Sequence, residues 1–309
     1  MMMPTTATTS SSKNNNKNNK NDDAFFSRRS TNTNGKSSKK MVRAMASGGE
    51  TTERAFDPRE YRRQLGKSDQ YTRKFLNDPE AKKTMEDEGI GYSMTGLVAQ
   101  MKEKNFVHVE GEVTVKLADS YGFCWGVERA VQMCYEARKQ YPTEKMWITN
   151  EIIHNPTVNM RLSEMGVNFI EEKGGVKNFE PVQSGEVVVL PAFGASIHEM
   201  KLLAEKGVSI VDTTCPWVSK VWNAVDTHAR KEFTSIIHGK YAHEETVATA
   251  SFAKTYLVVK DMKEASWVCD YILNGTATKE EFMEKFKNAH SDGFDPEKDL
   301  DAVGVANQT

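Results

Sequence analysis

Two cysteines in this chain sit where a thiol could react or bind metal. Cys124 ends the run Asp119-Ser120-Tyr121-Gly122-Phe123-Cys124-Trp125-Gly126, between an apolar stretch at 113–117 and a helical pattern at 126–141. Cys215 repeats the arrangement, because an apolar run at 208–211 leads into Asp212-Thr213-Thr214-Cys215-Pro216 and a second helical pattern. Pro216 suits the first helical position, where a missing N–H is not missed. A thiol at a helix N-terminus feels the positive end of the peptide dipoles, which favours the thiolate, the form that binds metal or attacks. The two lie 91 residues apart and neither belongs to a C-x-x-C pair, which argues against zinc-ribbon and thioredoxin-like chemistry. One thiolate from each of several similar βα units, meeting at one point, could hold an iron–sulfur cluster. Two inert buried thiols are the competing reading. Cys134 shares a helical stripe with Val127, Ala130 and Val131, and Cys269 shares one with Ala265, Val268 and Ile272, so both are expected in the core.

Polar groups occupy equivalent loops elsewhere. A strand pattern at 146–149 is followed by Asn150-Glu151-Ile152-Ile153-His154-Asn155-Pro156, and one at 234–237 by His238-Gly239-Lys240-Tyr241-Ala242-His243-Glu244-Glu245-Thr246. A histidine beside a helix start can donate to a phosphate oxygen, reinforced by helix N–H groups, and a buried glutamate can shuttle protons. An exposed loop histidine is the plain alternative for each, and Glu244 reads as an ordinary first-turn helix acid.

The elements that must position these residues follow from the patterning. From Glu112 onward, short Val/Ile/Leu runs alternate with amphipathic stretches, the signature of βα units and parallel sheets. Strands are expected at 113–117, 146–149, 187–190, 208–211, 234–237, 256–259 and 302–305. A helix is expected over 196–206, started by a capping box of Ser196 and Glu199. In such folds the working residues lie at the carboxyl ends of strands, where these loops fall. The chain divides into a leader at 1–50, a charged helical extension at 51–111 with no chemistry of its own, a first α/β lobe at 112–214 and a second at 215–309.

The 309 residues carry 41 basic and 43 acidic side chains, unevenly spread. Residues 1–49 hold nine Lys/Arg against Asp22 and Asp23, and are rich in Ser, Thr and Asn, so they are expected to stay disordered. A basic, Ser-rich, nearly acid-free start reads as an organellar transit peptide, with an unaddressed low-complexity tail as the alternative. No apolar run approaches the ~20 residues of a membrane-spanning helix. Four cysteines are too few for a disulfide scaffold, which favours a reducing compartment.

Taken together, Gly122-Phe123-Cys124-Trp125-Gly126-Val127-Glu128-Arg129-Ala130, Glu151-Ile152-Ile153-His154-Asn155, Asp212-Thr213-Thr214-Cys215-Pro216 and His243-Glu244-Glu245-Thr246 resemble the 4-hydroxy-3-methylbut-2-enyl diphosphate reductases in their plant, algal and cyanobacterial form. The resemblance covers roughly 56–309. It implies an α/β fold of three pseudo-threefold lobes, each giving one cysteine to a [4Fe–4S] cluster with an open iron. By position, Cys124 and Cys215 match two ligands, His154 and His243 diphosphate-binding histidines, and Glu245 the acid that relays a proton to a departing hydroxyl. Gln308 and Thr309 match the start of a Gln-Thr-Thr motif that positions substrate. The implied reaction is reductive dehydroxylation of the allylic diphosphate to isopentenyl and dimethylallyl diphosphate. A ferredoxin-type donor, a plastid location and no nucleic-acid partner are implied with it.

Two departures stand out. Phe193 occupies a position where many bacterial relatives have His, and in this the chain resembles the plant-like branch. The third lobe, with its cysteine, is absent from the 309 residues, so the chain reads as two lobes of an expected three, a truncated form. That leaves open a catalytically inactive fragment or interaction module of the same family, and a structural zinc protein using Cys124, Cys215, His154 and His243.

Overall fold

The computed structural model describes residues 56–90 and 96–309. The leader read from composition lies outside the described residues. Asp57 starts helix α1 (Pro58–Leu65) by accepting from the N–H groups of Arg59 and Glu60, with Pro58 in the first turn. A two-residue strand β1 (Tyr71–Thr72) follows, then α2 (Pro79–Asp87), capped by Asp78, and α3 (Gly96–Glu103). Strands β2 (Val107–Glu110) and β3 (Val113–Lys116) form an antiparallel hairpin through Gly111 at φ +60°.

Beyond the hairpin, helices and strands alternate. They are α4 (Trp125–Gln140), β4 (Met146–Ile148), α5 (Pro156–Glu164), β5 (Val167–Phe169), a small hairpin of β6 (Glu172–Lys173) and β7 (Val176–Lys177), β8 (Val187–Leu190), α6 (Ile197–Lys206) and β9 (Ser209–Asp212). Then come α7 (Pro216–Arg230), β10 (Thr234–His238), α8 (Glu244–Ala250), β11 (Tyr256–Val259), α9 (Met262–Asn274), α10 (Lys279–Lys285), α11 (Pro296–Asp299) and β12 (Val303–Asn307). One sheet has the order β1-β9-β8-β4-β5 and is parallel throughout. The other, β11-β10-β12, is parallel as well. The fold is therefore α/β with small, mostly parallel sheets, as expected. Val187, Val188, Val189 and Leu190 are all fully buried, which is what an unbroken β-branched run at the centre of a helix-covered sheet should do.

One expected strand has a different partner. Residues 113–116 pair only with β2, and Val113 and Val115 face solvent. A Val-Thr-Val-Lys alternation beside a glycine turn satisfies its hydrogen bonds locally as a hairpin. The sheet edge beside β9 is taken by Tyr71–Thr72, with Ile210 N–H donating to the Gln70 carbonyl at 2.7 Å. The extension thus supplies a strand of the sheet. Among the described residues no helix is long and apolar enough to cross a membrane.

Candidate functional site

The loops at the carboxyl ends of β4, β8 and β9 run side by side. Ala192 N–H donates to the Ile152 carbonyl at 3.2 Å, and Cys215 N–H donates to the Ala192 carbonyl at 2.9 Å. This ladder carries the parallel pairing past the strand ends and brings the loops of His154, Phe193 and Cys215 together. The region beyond the strand termini is where α/β folds bind ligands.

Both cysteines cap helices. Cys124 is the N-cap of α4 and Cys215 the N-cap of α7, and neither sulfur hydrogen-bonds to its own first turn. Asn155, Ser196, His243 and Asp261, at the starts of α5, α6, α8 and α9, do accept such bonds. The two thiols are thus left for other work at electropositive helix ends. They also meet. A Cβ placed on Gly126, two residues past Cys124, would lie 2.3 Å from the Cys215 sulfur. Only glycine admits that sulfur against the first turn of α4. Cys124 is exposed and Cys215 is buried.

Buried charges fix this contact. Arg129, one turn along α4, donates to the carbonyls of Thr213 and Thr214, both at 3.4 Å, and to the Arg73 carbonyl at 3.0 Å. Asp212, wholly buried, accepts from the Tyr71 hydroxyl, the Thr214 hydroxyl and, at 2.9 Å, the Thr214 N–H. Arg73 lies 3.0 Å from it and Arg62 3.8 Å. Burial alone would push this carboxyl up, but the two guanidinium groups hold it below its usual range. Tyr71, Arg62 and Arg73 come from the extension that sequence reasoning left without chemistry. The available signal was Asp212 itself, an acid at the end of an apolar strand, which requires buried partners.

Beside these loops lie His154, exposed, and His243, half-buried. Their Nε2 atoms lie 3.3 Å apart. His154 Nδ1 meets a Glu151 carboxylate oxygen at 2.9 Å, and His243 Nδ1 accepts from Glu245 N–H at 3.2 Å, so in the neutral ring the His243 proton sits on Nε2. Burial, then His154 and Lys240, lowers the His243 pKa. Phe193 stacks on His154 with ring centroids 4.4 Å apart and meets His243 edge-on at 5.8 Å.

Next to this pair Glu245 is buried. Its Oε1 accepts from both Thr309 N–H at 2.6 Å and Thr309 Oγ1 at 2.7 Å. Burial pushes its carboxyl up, against the two Thr309 bonds. Gln308 Oε1 accepts from Lys240 N–H at 3.0 Å and Thr246 Oγ1 at 3.1 Å, so its carbonyl end is committed to the loop beside His243. Glu244 departs from the reading of a solvated helix acid, since it is largely buried against Lys177 and Asn150.

The other two cysteines diverge. Cys134 is fully buried, which pushes its thiol up to about 12 and leaves it inert. Cys269, expected in the core, is exposed. The inner face of α9 carries Glu264 and Val268, and the stripe containing Cys269 and Ile272 turns outward.

As a donor set, two thiols at adjoining helix ends fit two ligands of a thiolate-held cluster. Among the described residues no group of three His, Cys, Asp or Glu side chains is placed to hold a metal ion.

A family model described as LytB protein matches residues 115–309. A 4-hydroxy-3-methylbut-2-enyl diphosphate reductase of Crocosphaera subtropica is 60% identical over 255 residues, covering 82% of this chain and 62% of that protein. The chloroplastic enzyme of the same name from Botryococcus braunii is 60% identical over 252 residues, covering 81% of this chain and 50% of that protein. The chain thus spans between half and about 62% of the length of these curated relatives. Among solved structures, the E-1-hydroxy-2-methyl-but-2-enyl-4-diphosphate reductase from Plasmodium falciparum aligns with a TM-score of 0.44 at 27% identity, over 48% of this chain and 45% of that one.

Proposed function

The chain belongs to the LytB protein family, and from that premise we propose that it acts as an iron–sulfur reductase on 4-hydroxy-3-methylbut-2-enyl diphosphate. The observation that carries the reading is the seat of the Cys215 sulfur against Gly126, at the start of the helix that Cys124 caps. A sulfur from a loop 91 residues away, packed against the first turn of the helix that Cys124 caps, supports the reading that both thiols serve one site.

In this reading Cys124 and Cys215 are two ligands of a [4Fe–4S] cluster. When bound, the cluster would pass two electrons from an external donor, one at a time, and act as a Lewis acid toward the substrate hydroxyl. The chain's own residues bind, orient and protonate. His154 and His243 receive the diphosphate through their Nε2 sides, and His243, whose Nδ1 keeps accepting from Glu245 N–H, donates from Nε2 as the neutral ring. Gln308 holds the 239–243 loop in place beside them. Glu245 is the proton carrier in this reading, and burial pushes its carboxyl up, towards holding a proton, against the two Thr309 bonds. Oε1 is held by the Thr309 N–H and hydroxyl, which fix the orientation of the carboxyl beside the site. The allylic C–O bond breaks, a C–H bond forms, two electrons and two protons enter, and water leaves with isopentenyl or dimethylallyl diphosphate as product.

A plastid location fits the Botryococcus relative, whose name is chloroplastic, and a ferredoxin-type donor would supply the electrons. The test is anaerobic reconstitution with iron and sulfide, metal analysis and turnover of the allylic diphosphate with dithionite-reduced viologen. Iron and sulfide bound with turnover, both lost in Cys124→Ser and Cys215→Ser, is the expected result. A colourless protein with stoichiometric zinc, or a loaded cluster without turnover, would overturn it.

A further inference from the structure

Three site loops that no single strand or helix joins are tied together by one cation outside the site. Lys177 lies on β7, at the end of a hairpin turned by Gly174 and Gly175 at φ +60° and +80°. Its side chain is 12% exposed, and its Nζ lies 2.8 Å from Glu199 and 3.3 Å from Glu244.

Each partner belongs to a different loop. Glu199 closes the capping box of α6, directly after the loop carrying Phe193. Its second oxygen accepts from Ser196 N–H at 2.8 Å and Ser196 Oγ at 3.0 Å. Glu244 stands between His243 and Glu245 at the start of α8. The oxygen that faces Lys177 also accepts from the Asn150 amide, which begins the loop carrying Glu151 and His154. The other Glu244 oxygen is buried without a hydrogen-bond partner, so Lys177 is the cation that offsets this carboxylate's burial. Burial works against the charge on Lys177, but Glu199 and Glu244 together raise its pKa, so it stays an ammonium.

We propose that Lys177 is a positioning residue for the diphosphate site, holding the loops of His154, Phe193 and His243 in register through Glu199 and Glu244. The role rests on the proposed reading of the two histidines. Lys177 touches neither ring. It acts by fixing Asn150 against Glu244, and so the separation between the two Nε2 atoms. A shift of an ångström in that separation would spoil a two-point grip on one diphosphate.

The experiment compares Lys177→Met, Lys177→Arg, Glu244→Gln and, as control, Lys173→Met, whose side chain is 86% exposed on the same hairpin. Calorimetry with inorganic pyrophosphate needs neither cluster turnover nor an electron donor. Lys177→Met should weaken pyrophosphate binding about tenfold and raise KM for the allylic diphosphate in step, with kcat in the holoenzyme changed less than KM. Lys177→Arg should retain most of the affinity, and Lys173→Met all of it. If Lys177→Met does not fold, Glu244→Gln, which removes one arm and keeps an acceptor for Asn150, should show the same direction with a smaller loss. Unchanged binding in both Lys177→Met and Glu244→Gln would overturn the proposal, as would an equal loss in Lys173→Met. If the wild-type protein binds pyrophosphate but does not reduce the substrate, the reaction assignment fails and the Lys177 result stands. If it does not bind pyrophosphate at all, the imidazole nitrogen signals of His154 and His243 decide. They should move in Lys177→Met and not in Lys173→Met, and stationary signals would overturn the role.

Discussion

Glu245 shows how a single residue's environment sets its chemistry. A carboxyl pushed up by burial has a folded pKa above its usual 4.5. The fold therefore favours its neutral form, and the stability this gives is fully present below pH 4.5 and lost as the pH rises through the folded value. Glu245→Gln keeps an acceptor for Thr309 and removes that charge. Its thermal midpoint should match wild type near pH 4, exceed it as the pH rises past 4.5, and keep a constant lead once the pH is above the folded value. Turnover should fall by a factor of about 10²–10⁴, the usual contribution of a positioned acid, while the cluster spectrum is retained. A constant midpoint difference across pH would mean that the carboxylate is not penalised by burial, and unchanged turnover would remove it from the proton path. Glu245, His154, His243 and the two helix-capping cysteines were legible as candidates because reactive side chains at strand ends obey a general rule of α/β folds. Cys269 was misread because periodicity defines a stripe on a helix without saying which stripe faces inward. Lys177 was invisible for another reason. A lysine in a glycine-turned hairpin has no local signal, and its partners come from loops 22 and 67 residues away.

At the scale of elements, glycine inside a helix marks a close approach. Ala normally stabilises a helix by about 1 kcal/mol relative to Gly. Gly126 in α4 should reverse that sign, since the added methyl would meet the Cys215 sulfur at 2.3 Å, with the Cys215 Cβ at 3.3 Å. Gly126→Ala should retain helix content by circular dichroism yet lower reconstituted iron several-fold, because α7 must retreat to make room. Full iron loading would show that the two helix ends are not required to touch. The parallel strands at 187–190, 209–212 and 256–259 were read within a residue of their bounds because a buried parallel strand is an unbroken apolar run. The edge strand was not, since Tyr71–Thr72 is too short for any periodicity and gains its place by pairing with β9 and through the Tyr71 hydroxyl on Asp212. Residues 113–116 carried a strand pattern and form one, but whether a strand joins a sheet or a hairpin is a tertiary choice that local pattern does not fix.

Across the whole molecule, Asp212 couples the extension to the sheet and the sheet to the Cys215 loop. Arg62, Tyr71 and Arg73 reach it from one side and Thr214 from the other, while Arg129 ties the same loop to α4. A carboxylate held below its usual 3.8 contributes stability that is present above that value and lost as the pH falls through the lower folded value. Asp212→Asn removes that charge and leaves two guanidinium groups facing a neutral amide in a buried place. Breaking a buried pair from one side costs about 3–5 kcal/mol. The variant should therefore unfold at markedly lower urea at pH 7, and should lack part of the acid-induced loss that wild type shows below pH 4. Because β1 pairs with β9 over two residues and this charge cluster joins the extension to the sheet, the loss should also be regional. Limited proteolysis should cut between residues 56 and 73 well before the sheet is attacked, and Cys215 should alkylate faster than in wild type. If Asp212→Asn lowers stability while proteolysis and Cys215 reactivity stay as in wild type, the extension holds to the sheet by packing alone and the buried charges do not transmit its docking to the thiol.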